Sequence, residues 1–102
     1  MRCLLLSLAC AALTAQAVPE WPAPTAETKP WTINWWPASA VDEKGLAAQM
    51  DTLADAGIGG MRVIPIYEVK GYETNGVEML TDEWFRRYKL GYGLAKARGL
   101  EM

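Results

Sequence analysis

The sequence W-T-I-N-W-W at residues 31–36 decides the fold class, because aromatic and β-branched residues fill it and Pro37 stops it. Such a run predicts a buried β-strand. A second apolar run, M-R-V-I-P-I at residues 61–66, predicts a second strand. The stretch between the two runs has a different hydrophobic period, so the strands are not joined by a hairpin turn.

The intervening stretch has the period of an amphipathic α-helix. Leu46, Met50 and Leu53 recur at helical spacing. Asp42 lies where the positive end of the helix dipole favours a carboxylate, and Gly57 supplies the left-handed residue that follows a last helical turn. A strand, a helix and a strand in this order form a βαβ unit with parallel strands.

A second helix is predicted to begin at the N-cap residue Thr81 and to end at Gly99. We expect one stripe of it to be apolar and its basic residues to lie on a solvated face: the stripe is Phe85, Tyr88, Tyr92 and Ala95, and the basic residues are Arg86, Arg87, Lys89, Lys96 and Arg98.

Residues 100–102 begin a predicted third strand. The chain is therefore expected to be α/β, with the first two βα units of a (β/α)8 TIM-type barrel over residues 31–102, and to be an incomplete domain.

The amino terminus predicts export. A secretory signal peptide over residues 1–17 is predicted from three features: the positively charged Arg2, the apolar run at residues 3–13 and the A-Q-A sequence at residues 15–17. This run is too short to favour a membrane span, and it contains both cysteines, of which Cys10 leaves lipidation open. Residues 18–30 form a proline-rich leader, and the mature protein is expected to be periplasmic or extracellular.

Composition excludes some kinds of chemistry. The formal net charge is −2 and the longest basic run is Arg86-Arg87, so nucleic acid is not an expected partner. The chain has no histidine, which removes the commonest general base and the commonest metal ligand. Carboxylates, aromatic rings and the backbone remain for any binding or catalysis.

Candidate binding residues follow the two predicted strands, because functional groups of a (βα) barrel gather at the carboxyl ends of its strands. Trp36, Tyr67, Tyr72 and Glu73 are predicted to bind a carbohydrate, since a sugar stacks its C–H face on an aromatic ring and directs its hydroxyls to polar groups. For the three aromatic residues, packing in the core is an equal alternative. Trp31 and Trp35 are predicted to be core residues. No catalytic pair or metal site is predicted within this segment.

Four stretches together resemble the amino-terminal part of glycoside hydrolase family 106, which contains secreted bacterial α-L-rhamnosidases. These are W-T-I-N-W-W-P-A-S-A-V at 31–41, A-G-I-G-G at 56–60, I-P-I-Y-E-V-K-G-Y-E at 64–73 and L-T-D-E-W at 80–84. The chain differs from the family pattern at Ala38, where the family has glycine, and at Glu68, where it has a small residue.

The resemblance implies a longer enzyme, with a (β/α) barrel followed by β-rich domains, that removes terminal α-L-rhamnose with inversion by means of two glutamates and a calcium ion. Those glutamates and the calcium site are expected downstream of Met102, so no cofactor and no catalytic residue is assigned here. We therefore expect the amino-terminal part of a secreted glycosidase that acts on plant or bacterial polysaccharide and is inactive as this segment alone. The alternative is a small secreted carbohydrate-binding or structural protein without catalysis.

Overall fold

The computed structural model describes residues 18–102, so the predicted signal peptide and both cysteines lie outside the described residues. Two strands alternate with two helices in the order β1 (Trp31–Pro37), α1 (Glu43–Asp55), β2 (Gly60–Ile66) and α2 (Asp82–Lys96). A short 3₁₀ turn, Glu73–Asn75, interrupts the long connection between β2 and α2. The predicted α/β class is confirmed. No helix among residues 18–102 is long and apolar enough to cross a membrane.

The two strands pair in parallel, as predicted, with Trp31 opposite Gly60 and Pro37 opposite Ile66. Near the end of the chain Glu101 forms a parallel bridge with Gly60. Its N–H donates to the carbonyl of Gly59, and its carbonyl accepts from the N–H of Met61, both at 2.9 Å. A third extended segment therefore starts beside β2. The described sheet has two strands, and its continuation into a (β/α)8 barrel stays a prediction.

Local capping sets the helix boundaries where the sequence predicts them. The Asp42 carboxylate accepts from the N–H of Gly45 at 2.8 Å, and Gly57 follows α1 with φ +80°. At α2, the Thr81 hydroxyl accepts from the N–H of Trp84 at 3.3 Å, and Gly99 follows the helix with φ +70°. These contacts satisfy backbone groups that a helix leaves unpaired at its ends.

One face of the sheet packs against both helices. The buried core joins residues of the sheet with residues of α1, α2 and the chain end: Trp36, Met61, Leu46, Met50, Ala95 and Leu100. Asn34 lies on the same face of β1 as Trp36 and is also buried. Its side-chain N–H donates to the Gln49 amide oxygen at 3.0 Å, which satisfies a polar group inside the core.

The opposite face of the sheet is half exposed, which corrects the prediction that Trp31 and Trp35 are core residues. Trp31, Ile33 and Trp35 each keep about half of their surface accessible among residues 18–102. The Trp31 ring nevertheless packs directly on Gly60, because a Cβ atom added at Gly60 would lie 2.8 Å from the Trp31 Cε2 atom. Its indole N–H donates to the Ala26 carbonyl at 3.2 Å. The prediction is wrong because both helices pack on the other face.

The buried face of α2 also differs from the predicted stripe. Ala95 is buried and Tyr88 packs against the core, as predicted, but Phe85 and Tyr92 are partly exposed. Trp84 and Gly91, which lie outside the predicted stripe, are buried. The reason is the glycine. Since Gly91 has no side chain, the Trp36 indole approaches α2 at this point, and the helix face that contains Gly91 turns toward the sheet.

Candidate functional site

A wide cleft lies at the carboxyl end of the sheet. Its volume is about 920 Å³. Three segments line it: the end of β2 at Pro65 and Ile66, the turn after β1 at Ala38 and Ser39, and the connection from β2 to α2 at residues 67, 68 and 76–79. The predicted location at the strand ends is therefore where the concave surface occurs.

Backbone hydrogen bonds of Ala38 join two sides of this cleft. The N–H of Ala38 donates to the carbonyl of Ile66 at 2.9 Å, and its own carbonyl accepts from the N–H of Val77 at 2.8 Å. Both Ala38 and Ser39 adopt φ +52°, in the left-handed region. A non-glycine residue in this region costs on the order of 1–3 kcal/mol, so the surrounding contacts must hold the turn in place.

Helix α2 adds side-chain contacts to the backbone hydrogen bonds of this turn. The Trp84 indole N–H donates to the Ser39 hydroxyl at 3.0 Å, and both groups are buried. The Arg87 guanidinium donates to the Val41 carbonyl at 2.9 Å. Its Nε atom donates to the Glu83 carboxylate at 2.8 Å. The prediction that Arg87 belongs to a solvated basic face is thus wrong, because its side chain spans the gap between α2 and the turn after β1.

Tyr67 is the one predicted binding residue that lines the cleft. Its side chain is 94% exposed, so the ring is available to a ligand. Two acidic residues, Glu68 and Glu78, line the same cleft. A methyl group added at Gly76 would lie 3.3 Å from the Glu68 Oε1 atom, which places this carboxylate against the connection to α2. Nothing in the sequence pattern singled out Glu78, because its approach depends on the fold of the whole connection.

Tyr72 and Glu73 lie elsewhere. Tyr72 is exposed and lines a separate groove with Val69 and Asn75, and this groove shares Ala38 with the main cleft. The Glu73 carboxylate accepts from the N–H of Gly71 at 2.9 and 3.0 Å. This hydrogen bond holds the pKa of Glu73 below its ordinary value. Glu73 therefore stabilises a turn in the connection, and its carboxylate is already engaged.

Trp36 does not reach the cleft, and its predicted contact with a sugar is corrected. The side chain is fully buried and lies on the helix-facing side of β1, between α2 and the rest of the core. Its ring packs edge-on to that of Tyr88, with 6.3 Å between the ring centroids. The strand alternation explains the placement, because residues 34 and 36 point to one face and residues 31, 33 and 35 to the other. Of the two alternatives for Trp36, packing is the observed one.

The lining of the cleft combines two acidic residues, Glu68 and Glu78, with the exposed aromatic residue Tyr67. Such a surface accepts hydrogen bonds from hydroxyl groups and offers an apolar face to a flat ligand. Among residues 18–102, no group of three or more acidic side chains comes together in a way that could hold a metal ion.

Comparison with protein-family models, with curated proteins and with solved structures finds no match for this chain. The functional assignment therefore depends on the chemistry of the cleft and on the sequence pattern around it.

Proposed function

We propose that the chain is the amino-terminal part of an exported glycoside hydrolase, similar to the α-L-rhamnosidases of family 106, and that its cleft forms one side of the sugar-binding site. The observation that supports this most directly is the position of Tyr67, Glu68 and Glu78 around one cleft at the carboxyl end of a parallel sheet. Binding groups of (β/α) barrels occupy this end of the sheet.

The chemistry of the cleft suits a sugar. The exposed Tyr67 ring provides a flat apolar surface for the C–H face of a pyranose. Glu68 and Glu78 provide acceptors for its hydroxyls. The cleft volume of about 920 Å³ lies within the range of roughly 300–1,000 Å³ that is usual for small-molecule sites. A terminal rhamnose of a plant or bacterial polysaccharide is the substrate that the sequence resemblance favours.

The backbone at Ala38 supports the family resemblance from an independent direction. The family pattern has glycine at this position, and glycine is the residue that adopts φ +52° without strain. Ala38 adopts this left-handed conformation while its N–H donates to the Ile66 carbonyl and its carbonyl accepts from the Val77 N–H. Glu68, the second departure from the pattern, adds a carboxylate to the cleft.

In this proposal the described residues bind and orient the sugar, and they do not perform the chemistry. The two catalytic glutamates and the calcium ion of the family are proposed to belong to a part of the enzyme downstream of residue 102. Hydrolysis thus requires the longer protein, and the segment of residues 18–102 is expected to be inactive by itself.

The test is hydrolysis of an aryl α-L-rhamnoside by the protein encoded by the complete reading frame, with aryl β-D-glucoside and aryl α-L-fucoside as comparison substrates. We expect selective turnover of the rhamnoside. Tyr67→Ala should weaken sugar binding by about 1–3 kcal/mol, by analogy with other ring-stacking contacts. Tyr92→Ala is the control, because Tyr92 is a partly exposed tyrosine that lies on α2 and does not line the cleft. No turnover of the rhamnoside, or equal effects of the two variants, would contradict the proposal.

A second candidate function is carbohydrate binding without catalysis, and the half-exposed Trp31 favours it. Its indole rests on Gly60 and is fixed by the Ala26 carbonyl, so it offers one face of a rigid ring. This function predicts that Trp31→Ala abolishes polysaccharide binding and that Tyr67→Ala has no effect. Titration calorimetry with a rhamnose-containing oligosaccharide distinguishes the two functions.

A further inference from the structure

We propose that Ser39 and Trp84 form a positioning pair that sets the shape of the cleft, an inference that rests on the proposed function in taking the cleft as a sugar site. Neither residue needs to contact the sugar through its hydrogen-bonding groups. They act through the backbone of Ala38, which connects the end of β2 to the segment at Val77.

The contacts form a continuous path from α2 to the cleft. The Trp84 indole N–H donates to the Ser39 hydroxyl at 3.0 Å, and Ser39 is only 2% exposed. Ser39 directly follows Ala38, whose N–H donates to Ile66 and whose carbonyl accepts from Val77. The orientation of the Trp84 ring is thus linked to both sides of the cleft through one turn of chain.

This turn needs an external anchor because two consecutive non-glycine residues, Ala38 and Ser39, are both left-handed at φ +52°. Without the anchor, such residues relax toward right-handed or extended backbone. Relaxation at this point would rotate the Ala38 carbonyl away from Val77. The cleft would then have to be ordered again each time a sugar binds, which lowers affinity.

Trp84 is itself held rigidly enough to serve as the anchor. Its ring stacks on Tyr88 with 5.4 Å between ring centroids and an interplanar angle of 16°. Phe85 packs edge-on to it at 5.2 Å. The N-cap at Thr81 fixes the start of the helix from which the ring projects. Arg87 adds a second tie from the same helix to the turn, at the Val41 carbonyl.

The experiment compares Trp84→Phe with Trp36→Phe in the protein encoded by the complete reading frame. Both substitutions remove an indole N–H from a buried ring, but the Trp36 N–H has no hydrogen-bond partner among the described residues, whereas that of Trp84 binds Ser39. We measure KM and kcat on an aryl α-L-rhamnoside, and hydrogen exchange of the Val77 amide. Trp84→Phe should raise KM roughly three- to tenfold, the range expected for one lost hydrogen bond, and leave kcat unchanged.

The same variant should also accelerate exchange at Val77, and Trp36→Phe should change neither quantity per folded molecule. Ser39→Ala is the second test, because it removes the hydroxyl that accepts from Trp84 and keeps the Cβ atom, and hence the left-handed strain, at this position. It should behave like Trp84→Phe. If Ser39→Ala leaves KM and exchange at the wild-type values, the hydroxyl does not anchor the turn and the pairing is overturned.

The two readouts separate this inference from the proposed function. A wild-type protein that hydrolyses no rhamnoside contradicts the function, while exchange at Val77 still tests the pair. Equal exchange in Trp84→Phe and in the wild type overturns the inference whatever the activity. Faster exchange with an unchanged KM overturns it as well, because the shape of the cleft would then have no bearing on the sugar.

Discussion

Two glycines of α2 provide a direct test of how the helix packs on the sheet. A Cβ atom added at Gly91 would lie 3.3 Å from Cη2 and 3.4 Å from Cζ2 of Trp36. At Gly93 a Cβ atom would meet nothing within 4 Å. Since both glycines lie inside the same helix, Gly91→Ala and Gly93→Ala change the helix propensity equally and differ in their packing.

The magnitude follows from two opposing terms. Replacing glycine by alanine inside a helix stabilises it by about 1 kcal/mol, and this gain applies at both positions. Overpacking a well-filled core by a methyl group costs about 1–3 kcal/mol, and this cost applies only where the Trp36 ring is in the way. We therefore expect Gly93→Ala to stabilise α2 by about 1 kcal/mol. The stability of α2 in Gly91→Ala should be about 1–3 kcal/mol lower than in Gly93→Ala.

Native-state hydrogen exchange is the suitable assay, because it gives the free energy of opening of the α2 amides whether or not the protein unfolds in a single step. The amides of α1 serve as an internal reference. Equal stabilisation by the two substitutions would refute the reasoning, since Trp36 would then not lie against Gly91 and the buried face of α2 would be a different one.

Two further predictions concern single side chains. Trp36→Ala should lower the free energy of unfolding by about 3–5 kcal/mol, because it removes a fully buried ring. Tyr67→Ala should change it by no more than about 0.5 kcal/mol, because the Tyr67 ring is exposed. Urea denaturation followed by circular dichroism measures both, and equal losses would contradict the assignment of Trp36 to the core. Hydrogen bonds from Arg87, and to a smaller extent from Arg86, lower the pKa of Glu83. The stabilisation of α2 by the ionised Glu83 is therefore complete above the ordinary pKa of 4.5 and is lost as the pH falls through the lower folded-state pKa. An NMR pH titration should show the Arg87 Nε–H resonance following this transition in the wild type and not in Glu83→Gln; a resonance that titrates equally in both proteins would exclude Glu83 as the cause.

The elements of the fold that depend on local chemistry are the ones that the sequence predicts well. Asp42 and Thr81 cap their helices through contacts only three residues along the chain, so the residue types alone indicate the boundaries. Gly57 is needed for a left-handed residue at a helix end, which is equally local. The parallel pairing of the strands follows from the helix between them.

The side-chain roles that depend on distant contacts were not predictable in this way. Period alone placed Phe85 and Tyr92 on the buried stripe, but the approach of Trp36 to Gly91 turns a neighbouring face inward. Glu78 reaches the cleft only because the connection folds back onto Ala38 through Val77. The sequence indicates that a cleft forms at the strand ends and that Tyr67 lines it, whereas the binding role of Tyr67 stays a prediction.

The sequence predicts burial on both faces of the sheet, whereas among residues 18–102 only the face that packs on the helices is buried. A parallel sheet is normally covered on both faces, and its strands then contain nearly continuous apolar runs. The strands β1 and β2 have such runs, yet both helices pack on the face that contains Trp36. Trp31, Ile33 and Trp35 retain the composition of a covered face and are half exposed among residues 18–102. The proposed barrel would account for this, because its further strands would curve around the same face and enclose it.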